Sequence, residues 1–424
     1  MLWVFLAALF AALAAGVPVA FALMLCSVAL MVSLNMLDSQ IVAQNLINGA
    51  NNFALMAIPF FILAGELMNR GGMSKRIVQF AMTLVGHVRG GLGYVVIIAS
   101  VLFAGLSGSA VADTAALGAI LIPMMVERGY DKKVPTAIVS SAGIIAPIIP
   151  PSIPMILFGV VSGVSITQLF MGGIVPGLLI AVGLMLVWFY MSRKETAELP
   201  PRKSVKEILT ATKEAGWALL MPVIIIGGLR GGVFTPTEAG VIAVFYALFV
   251  GMFVYRNIGP RQLYDALIRS AKTTSVVMFV ASAAIVSAWI ITVANVPQGM
   301  TELLNPLIDR PLLLLLLINL LLLAVGMVMD LTPTILILTP VLMPIVKAAG
   351  IDPVYFGIIM VINLCIGLIT PPVGTVLYVG CGISRISIGE LVKGLWPFLM
   401  VEIAILLLLV FFPQIVTVPL EWLT

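Results

Sequence analysis

Residues 143–154 read GIIAPIIPPSIP and residues 367–374 read GLITPPVG, so each stretch places a double proline inside strongly apolar sequence. Proline in a helix interior removes a backbone hydrogen bond and clashes with the preceding turn, at a cost of about 3 kcal/mol. In lipid, the carbonyls freed in this way have no water to bind. Two such breaks predict irregular backbone that is buried in protein or lines a cavity.

The composition is that of a membrane protein. Hydrophobic residues make up 62% of the 424 residues and charged residues only 9%, whereas a soluble domain has about 25% charged residues. Apolar runs such as 312–328 recur along the chain, which predicts an all-α polytopic membrane protein. The basic residues lie in short loops that orient helices, so the net charge of +4 does not indicate nucleic acid. We interpret the three cysteines, which lack CxxC spacing, as packed thiols, and the N-terminal segment as a retained helix.

The two double prolines belong to an internal repeat. An offset of 221 residues aligns Pro150-Pro151 with Pro371-Pro372. Alignment of other turn and helix-breaking residues at one fixed offset indicates a duplicated unit. We therefore divide the chain into repeats at 1–213 and 214–424. The same offset pairs Pro123 with Pro344, Gly129 with Gly350, Asp131 with Asp352 and Pro176 with Pro397.

Each repeat is predicted to contain a two-armed hairpin followed by a proline-broken helix. We place the hairpins at about 93–126 and 311–346, and the broken helices at about 134–164 and 353–383. The arms of the first hairpin are shorter than the roughly 20 residues of a spanning helix and meet at Ser107-Gly108-Ser109. This favours re-entrant hairpins; two full helices joined by a tight surface turn are the alternative.

The placement of lysine and arginine predicts the topology. Basic residues cluster within 70–89, 128–133, 193–213 and 256–272, whereas 37–52 holds none. By the positive-inside rule the clusters are cytoplasmic. With five crossings in each half, the second repeat is inverted relative to the first. The predicted fold has about ten spanning helices, two of them proline-broken, plus two re-entrant hairpins.

Inverted repeats with broken helices and re-entrant hairpins are typical of secondary transporters. The ends of half-helices offer free carbonyls to a cation and free amides to an anion. Neutral oxygens suit an alkali cation better than zinc or a redox metal. The alternative is that these small residues only allow close helix packing. The candidate cation ligands are the hydroxyls of Ser107, Ser109, Thr332, Thr334 and Thr370, and the carbonyls of Gly143, Ala146 and Ile148.

Ionisable residues in apolar segments are further candidates, because burying them is costly. Asp113 follows the first hairpin tip and Asp330 lies at the second; Asp113 and Glu238 could instead cap helices. Glu66 is interpreted as a partner of Arg70 at i+4. Arg230 is a candidate contact for an anion or an interface anchor. The region around the predicted substrate site also includes Gly108, Pro150, Pro151, Pro371 and Pro372.

The motifs support neither an ATP-driven transporter nor an enzyme. The chain lacks a GxxxxGK[ST] phosphate loop, so transport would draw on an ion gradient or on partner proteins. We find no arrangement of nucleophile and base, so we predict that the chain is not an enzyme. An intramembrane enzyme or a channel is kept as a competing class.

Five stretches resemble the large membrane subunit of TRAP transporters, the tripartite ATP-independent periplasmic uptake systems of bacteria and archaea. The resemblance covers essentially the whole chain. The stretches are LSGSAVADTAALG (106–118), PIIPPSIP (147–154), FTPTEAG (234–240), GMVMDLTPTILILTPVLMP (326–344) and ITPPVGTVL (369–377).

This resemblance implies an elevator-type transporter of the bacterial or archaeal inner membrane. Hairpins and broken helices would form a mobile transport domain, the other helices a scaffold, and the amphipathic segments 75–88 and 258–272 the connecting arms. It implies sodium as the coupling ion, with no other cofactor, and two partners: a small four-helix membrane subunit and a periplasmic substrate-binding protein. The family's sodium sites would carry over to the candidate ligands above, with Gly232 added in the second half.

The expected function is sodium-coupled, binding-protein-dependent import of small organic acids. Family substrates are mostly carboxylates, and AKTTSVVMF (271–279) is most similar to permeases for keto sugar acids. The alternative is a stand-alone cation-coupled carboxylate symporter or antiporter that needs no binding protein.

Overall fold

The computed structural model describes residues 1–193, 202–296, 298–299 and 307–424. Within these ranges the secondary structure is helical and contains no β-strand. The predicted all-α class is therefore confirmed.

The helices of the first half follow one another with short connections. A 3-10 turn, Ala54–Met56, links the third helix to the fourth. The helices span Leu2–Ala14, Val19–Ser33, Ser39–Ala50, Ala57–Arg70, Met73–Val85, Gly91–Ser107, Ala110–Glu127, Lys133–Gly143, Ile153–Ser162 and Ile166–Ser192.

The described helices of the second half include one much longer element, the 34-residue helix Pro260–Val293. A π-helical segment, Val250–Val254, extends the helix before it. The helices span Val205–Arg230, Pro236–Phe249, Pro260–Val293, Pro311–Gly326, Leu331–Ala348, Pro353–Gly367, Thr375–Ser384, Ile388–Phe411 and Gln414–Leu423.

Eight of these helices form four consecutive pairs that carry the predicted site. We name the pairs by their order in the chain. The first hairpin is Gly91–Ser107 with Ala110–Glu127, the first broken helix is Lys133–Gly143 with Ile153–Ser162, the second hairpin is Pro311–Gly326 with Leu331–Ala348, and the second broken helix is Pro353–Gly367 with Thr375–Ser384.

Prolines interrupt both broken helices where the sequence places them. Between Gly143 and Ile153 the backbone forms turns rather than a continuous helix, and a new helix begins when Ser152 accepts a hydrogen bond from the Met155 amide at 3.3 Å. The Pro150–Pro151 and Pro371–Pro372 peptide bonds are both cis. Because proline has no amide hydrogen, neither stretch can continue the helical hydrogen-bond pattern.

Among the described residues, seven helices are long and apolar enough to cross a membrane, or eight if the pair bent by 55° near residue 52 is one span. The predicted number is about ten. The difference arises because the first two helices have only 13 and 15 residues, and the pieces of the broken helices only 10 to 15. One arm of each hairpin, Ala110–Glu127 and Leu331–Ala348, belongs to the seven, so re-entrant geometry stays a prediction.

The segment 258–272 was expected to form a separate connecting arm. In the structure, residues 260–272 are instead the first part of the continuous helix Pro260–Val293. No glycine or proline follows Pro260 within this helix, so nothing ends it early. In the first half, by contrast, the backbone turns at Gly72, whose φ of +76° suits glycine. The helix Met73–Val85 is therefore a separate element.

The hairpins and broken helices of the two halves pack against one another. The second arm of the first hairpin contacts Lys133–Gly143 of its own half and Thr375–Ser384 of the other half. The second arm of the second hairpin contacts Ile153–Ser162. These cross-contacts bring both tips and both breaks into one region of the molecule.

Candidate functional site

A cavity of about 380 Å3 lies where the two hairpin tips meet the breaks. The first tip contributes residues 107–112, and the second tip contributes Asp330, Leu331 and Thr332. The first break region contributes Pro147, Ile153 and Pro154, and the second contributes Leu368. The opposite wall is formed by two helices of the remaining fold, through Ile62, Gly65, Glu66, Asn69, Arg269, Ser270, Thr273 and Val277.

The first tip is a tight turn that rests directly on the first break. Gly108 has a φ of +61°, and a Cβ added there would come within 2.6 Å of the Pro151 carbonyl oxygen. Only glycine combines this backbone conformation with so close an approach. The Ser109 amide donates to Ser107 Oγ at 3.2 Å, and Ser109 Oγ accepts from the Ala112 amide at 3.4 Å. Ser109 therefore begins the second arm as its N-cap.

Asp113 lies in the first turn of that arm and is fully buried. Its Oδ1 accepts a hydrogen bond from Ser107 Oγ. Its Oδ2 and the neighbouring Thr114 Oγ1 are buried without a hydrogen-bond partner among the described residues. Leaving a buried polar group unsatisfied costs about 1–3 kcal/mol, and more for a charged group. These two oxygens therefore have unused capacity to bind a cation.

The C-terminal end of Lys133–Gly143 adjoins the second of these oxygens, Thr114 Oγ1. A Cβ added at Gly143 would lie 2.0 Å from Thr114 Oγ1, so the two residues are in direct contact. The predicted ligand Ser107 thus contacts Asp113, and the predicted ligand Gly143 contacts the next residue, Thr114. Thr114 was missed in the sequence, because no local pattern indicates which residue faces Gly143 across the helix pair.

The other predicted carbonyl ligands of the first half differ in their surroundings. No backbone amide of the described residues donates to the carbonyl of Ala146 or of Ile148. The Ile148 carbonyl faces the helix Ile166–Ser192, since a Cβ at Gly173 would lie 2.3 Å from its oxygen. The structure therefore leaves both carbonyls without a backbone donor, and it directs that of Ile148 towards Gly173.

The second tip is fastened to the second break by polar contacts. Thr375 Oγ1 donates to Asp330 Oδ1 at 3.3 Å, and the Val373 amide donates to the Met327 carbonyl at 3.2 Å. Thr334 and Thr370 are buried and donate to carbonyls four residues earlier, those of Asp330 and Ile366, each at 2.7 Å. A hydroxyl that donates still has lone pairs to offer a cation.

Deeper in the second half, the first arm of the hairpin is joined to the broken helix by an amide pair. Asn363 Nδ2 donates to Asn319 Oδ1 at 2.7 Å. Nearer the tip, the backbones of Gly326 and Gly367 are in contact, since a Cβ at Gly367 would lie 2.7 Å from the Gly326 carbonyl carbon. The second tip and the second break therefore pack as one unit.

Three predicted residues lie outside both hairpins and both broken helices. Glu238 forms a capping box with Thr235: it accepts the Thr235 amide at 2.7 Å and the Thr235 hydroxyl at 2.9 Å. Arg230 donates to the Trp422 carbonyl at 3.1 Å. Gly232 occupies an exposed turn with a φ of +64°. The first two contacts are those expected of a helix cap and an anchoring residue.

The wall opposite the tips carries charges that the sequence did not assign to the site. Glu66 pairs with Arg70 at 2.6 Å, as expected, and it also lines the cavity. Arg269 is exposed and makes no ion pair within the described ranges. Ser270 Oγ beside it is buried without a partner there. Arg269 was grouped with the basic residues of a cytoplasmic loop, because its helix was expected to begin only after it.

The architecture defines a helical membrane protein in which two hairpin tips and two helix breaks meet at one cavity lined by polar and apolar side chains. A solved structure with the same fold is that of the Alcanivorax borkumensis YdaH transporter, with a TM-score of 0.64, 15% sequence identity and 91% of each chain covered. The chain therefore shares the fold of that protein.

The chain belongs to the DctM family, described as "Tripartite ATP-independent periplasmic transporter, DctM component", which matches residues 6–415. It is 53% identical to the 2,3-diketo-L-gulonate TRAP transporter large permease protein YiaN of Escherichia coli (strain K12), with 99% of each chain covered. It is 41% identical to the sialic acid TRAP transporter large permease protein SiaM of Vibrio cholerae serotype O1, over 94% of each chain. The chain is therefore a multi-pass membrane permease and not an enzyme.

Proposed function

We propose that this chain is the permease subunit of a sodium-coupled, binding-protein-dependent importer of small organic acids in a bacterial inner membrane. The observation that carries the proposal is the cavity at which both tips and both breaks meet, beside buried oxygens without a partner. Charged side chains such as Glu66, Arg269 and Asp330 are costly within apolar helices and mark paths for ions or substrates.

Sodium coupling is supported by the chemistry of the first tip. The Ser107 hydroxyl and the Asp113 carboxyl are hydrogen-bonded to each other, and the Thr114 hydroxyl contacts the helix end at Gly143. All three groups are hard oxygen donors. Such ligands suit an alkali cation. We assign the first sodium ion to this position, with Ser109, Ala146 and Ile148 as further ligands. We assign a second ion to the second tip and break, with Thr332, Thr334 and Thr370 as its ligands. Gly232 is left out of this assignment, because it lies in an exposed turn outside the second hairpin and the second broken helix.

An elevator movement is supported by the way the four pairs pack. Each hairpin contacts a broken helix of the opposite half, so the tips and breaks pack together as one body. The repeat offset of 221 residues and the charge distribution support an inverted relation between the halves. In this proposal the body moves past the remaining helices and carries the cavity across the membrane.

The substrate class and partners follow from the family. The names of YiaN and SiaM specify 2,3-diketo-L-gulonate and sialic acid, which are both carboxylates. The family description is of a tripartite system, which supports a small membrane subunit and a periplasmic substrate-binding protein as partners. We propose that this chain likewise moves a small carboxylate released into the cavity by its binding protein.

Reconstitution tests this function directly. The permease with its small subunit is placed in proteoliposomes, and uptake of labelled organic acid is measured with and without a sodium gradient and with and without the binding protein. Uptake should require both. Sodium-dependent uptake without the binding protein would support the stand-alone symporter instead, and uptake indifferent to both would contradict the proposal.

A second experiment addresses the carboxylate. Replacing Arg269 by glutamine should weaken substrate binding about tenfold, because a charge-assisted hydrogen bond contributes about 1.5–3 kcal/mol and 1.4 kcal/mol is tenfold in affinity. Binding of labelled acid to the permease in nanodiscs, in saturating sodium, gives the dissociation constant. Arg261→Gln is the matched control, since Arg261 is exposed on the same helix but does not line the cavity. Equal affinities in both variants would remove Arg269 from the substrate site.

A further inference from the structure

Two cavities of about 620 and 680 Å3 lie on either side of the contact between the helices Met73–Val85 and Val205–Arg230. They share no lining residue with the cavity at the hairpin tips. Their common wall consists of Lys75, Gln79, Thr210 and Glu214. The two cavities are therefore neighbouring parts of one cleft, separate from the proposed transport site.

The cleft has an excess of positive charge. Four basic side chains line it, Lys75, Arg76, Lys206 and Lys213, against the two acids Glu207 and Glu214. Glu207 forms an ion pair with Lys203, which does not line the cleft; Lys203 Nζ lies 2.8 Å from Glu207 Oε1.

The lysines of the cleft are available to a ligand. Within the described ranges, Lys75, Lys206 and Lys213 have no ion pair. Arg76 stacks on the Tyr255 ring, with the guanidinium carbon 3.7 Å from the ring centroid. Stacking uses the face of the guanidinium and leaves edge donors available.

Apolar side chains form the remaining walls. Val78, Met82, Ile120 and Met124 line one cavity, and Trp217 and Val254 line the other. Along the second helix the sequence changes from VKEILTATKE (205–214) to AGWALLMPVIII (215–226). Trp217 lies just inside this boundary, and tryptophan is enriched at membrane interfaces. The cleft therefore lies where headgroups meet acyl chains.

We propose that this cleft binds an anionic phospholipid of the cytoplasmic leaflet. The phosphodiester is held by Lys75 and Lys213, and an acyl chain lies along the apolar wall of Val78 and Met82. Basic pockets between transmembrane helices on the cytoplasmic side suit anionic headgroups. A free phosphate would use the lysines but gain nothing from the apolar walls, whose burial favours a ligand with hydrocarbon. The bound lipid bridges Met73–Val85 and Val205–Arg230.

The test compares lipids on the purified, delipidated permease. Dioleoyl phosphatidylglycerol, dioleoyl phosphatidylcholine and inorganic phosphate are titrated separately, and binding is followed by native mass spectrometry and by the thermal unfolding midpoint. Phosphatidylglycerol should bind and raise the midpoint most. The Lys75→Gln/Lys213→Gln variant should bind it about 25-fold more weakly, since each lysine near an anionic surface contributes roughly fivefold.

The matched control removes the same charge elsewhere. Arg261 and Lys272 are exposed basic residues outside the cleft, so Arg261→Gln/Lys272→Gln should bind phosphatidylglycerol like the unmodified protein. Lys75 and Lys213 are also exposed, so their replacement leaves the packed core intact. Equal affinity in the two double variants, equal binding of phosphatidylcholine, or equal stabilisation by phosphate alone would each overturn the lipid site. None of these outcomes depends on sodium or on substrate.

Discussion

Sodium-dependent uptake should fall about 100-fold when Asp113 is replaced by asparagine. Asp113 is wholly buried, and only one of its two carboxyl oxygens has a partner among the described residues, Ser107 Oγ. In the proposed site the other oxygen binds the ion. Asparagine keeps the size and the contact with Ser107 but loses the charge. A charged hydrogen bond contributes about 1.5–3 kcal/mol, and about 2.7 kcal/mol corresponds to 100-fold.

The measurement is the initial uptake rate in proteoliposomes as a function of sodium concentration. Glu402→Gln is the matched control. Glu402 is equally buried, with neither carboxyl oxygen partnered in the described part of the chain, but it lies in the helix Ile388–Phe411, outside both hairpins and both broken helices. The control should keep the sodium activation curve of the unmodified protein. If Asp113→Asn also kept that curve, the first sodium site would lie elsewhere.

A thermal-shift measurement separates loss of the ion site from loss of the fold. A ligand that binds only the folded state stabilises it, by about 2.7 kcal/mol at 100 times its dissociation constant. Sodium should therefore raise the unfolding midpoint of the unmodified protein and of Glu402→Gln, but not that of Asp113→Asn. A variant that is already unfolded without sodium would show no transition at all.

The parts of the fold that the sequence predicts well are those set by local covalent chemistry. Proline cannot donate a backbone hydrogen bond, so the breaks near Pro150 and Pro371 follow from residue type alone. Glycine at 108 allows a left-handed turn, so the first tip also follows from the sequence. The Glu66–Arg70 pair needs only the spacing of a helix turn.

The parts that escaped prediction depend on contacts between elements distant in sequence. Thr114 belongs to the candidate site because it contacts Gly143. The sequence of neither segment predicts that contact. Arg269 reaches the cavity because Pro260–Val293 is one continuous helix, whereas its charge pattern suggested an arm that ends before the spanning part. Charge alone marks a residue as near the membrane surface, and does not show which cavity lies beside it.

Gly367→Ala should destabilise the permease by about 3 kcal/mol, the upper end of the cost of overpacking. The added methyl group would lie 2.7 to 2.9 Å from the carbonyl carbon, Cα and oxygen of Gly326. All three are backbone atoms, so no side-chain rotation relieves the clash. The second broken helix would have to move away from the second hairpin, and the contact between Thr375 and Asp330 would be strained with it.

Thermal unfolding and sodium-dependent uptake should therefore both decline in Gly367→Ala. Gly382→Ala is the matched control, because Gly382 lies inside the helix Thr375–Ser384 and a Cβ there meets nothing within 4 Å. Alanine is favoured over glycine in a helix by about 1 kcal/mol, so this variant should be at least as stable as the unmodified protein. A Gly367→Ala protein as stable and active as Gly382→Ala would mean that the second tip and break separate freely. They would then not move as one body, and the elevator proposal would lose the rigid unit that it requires.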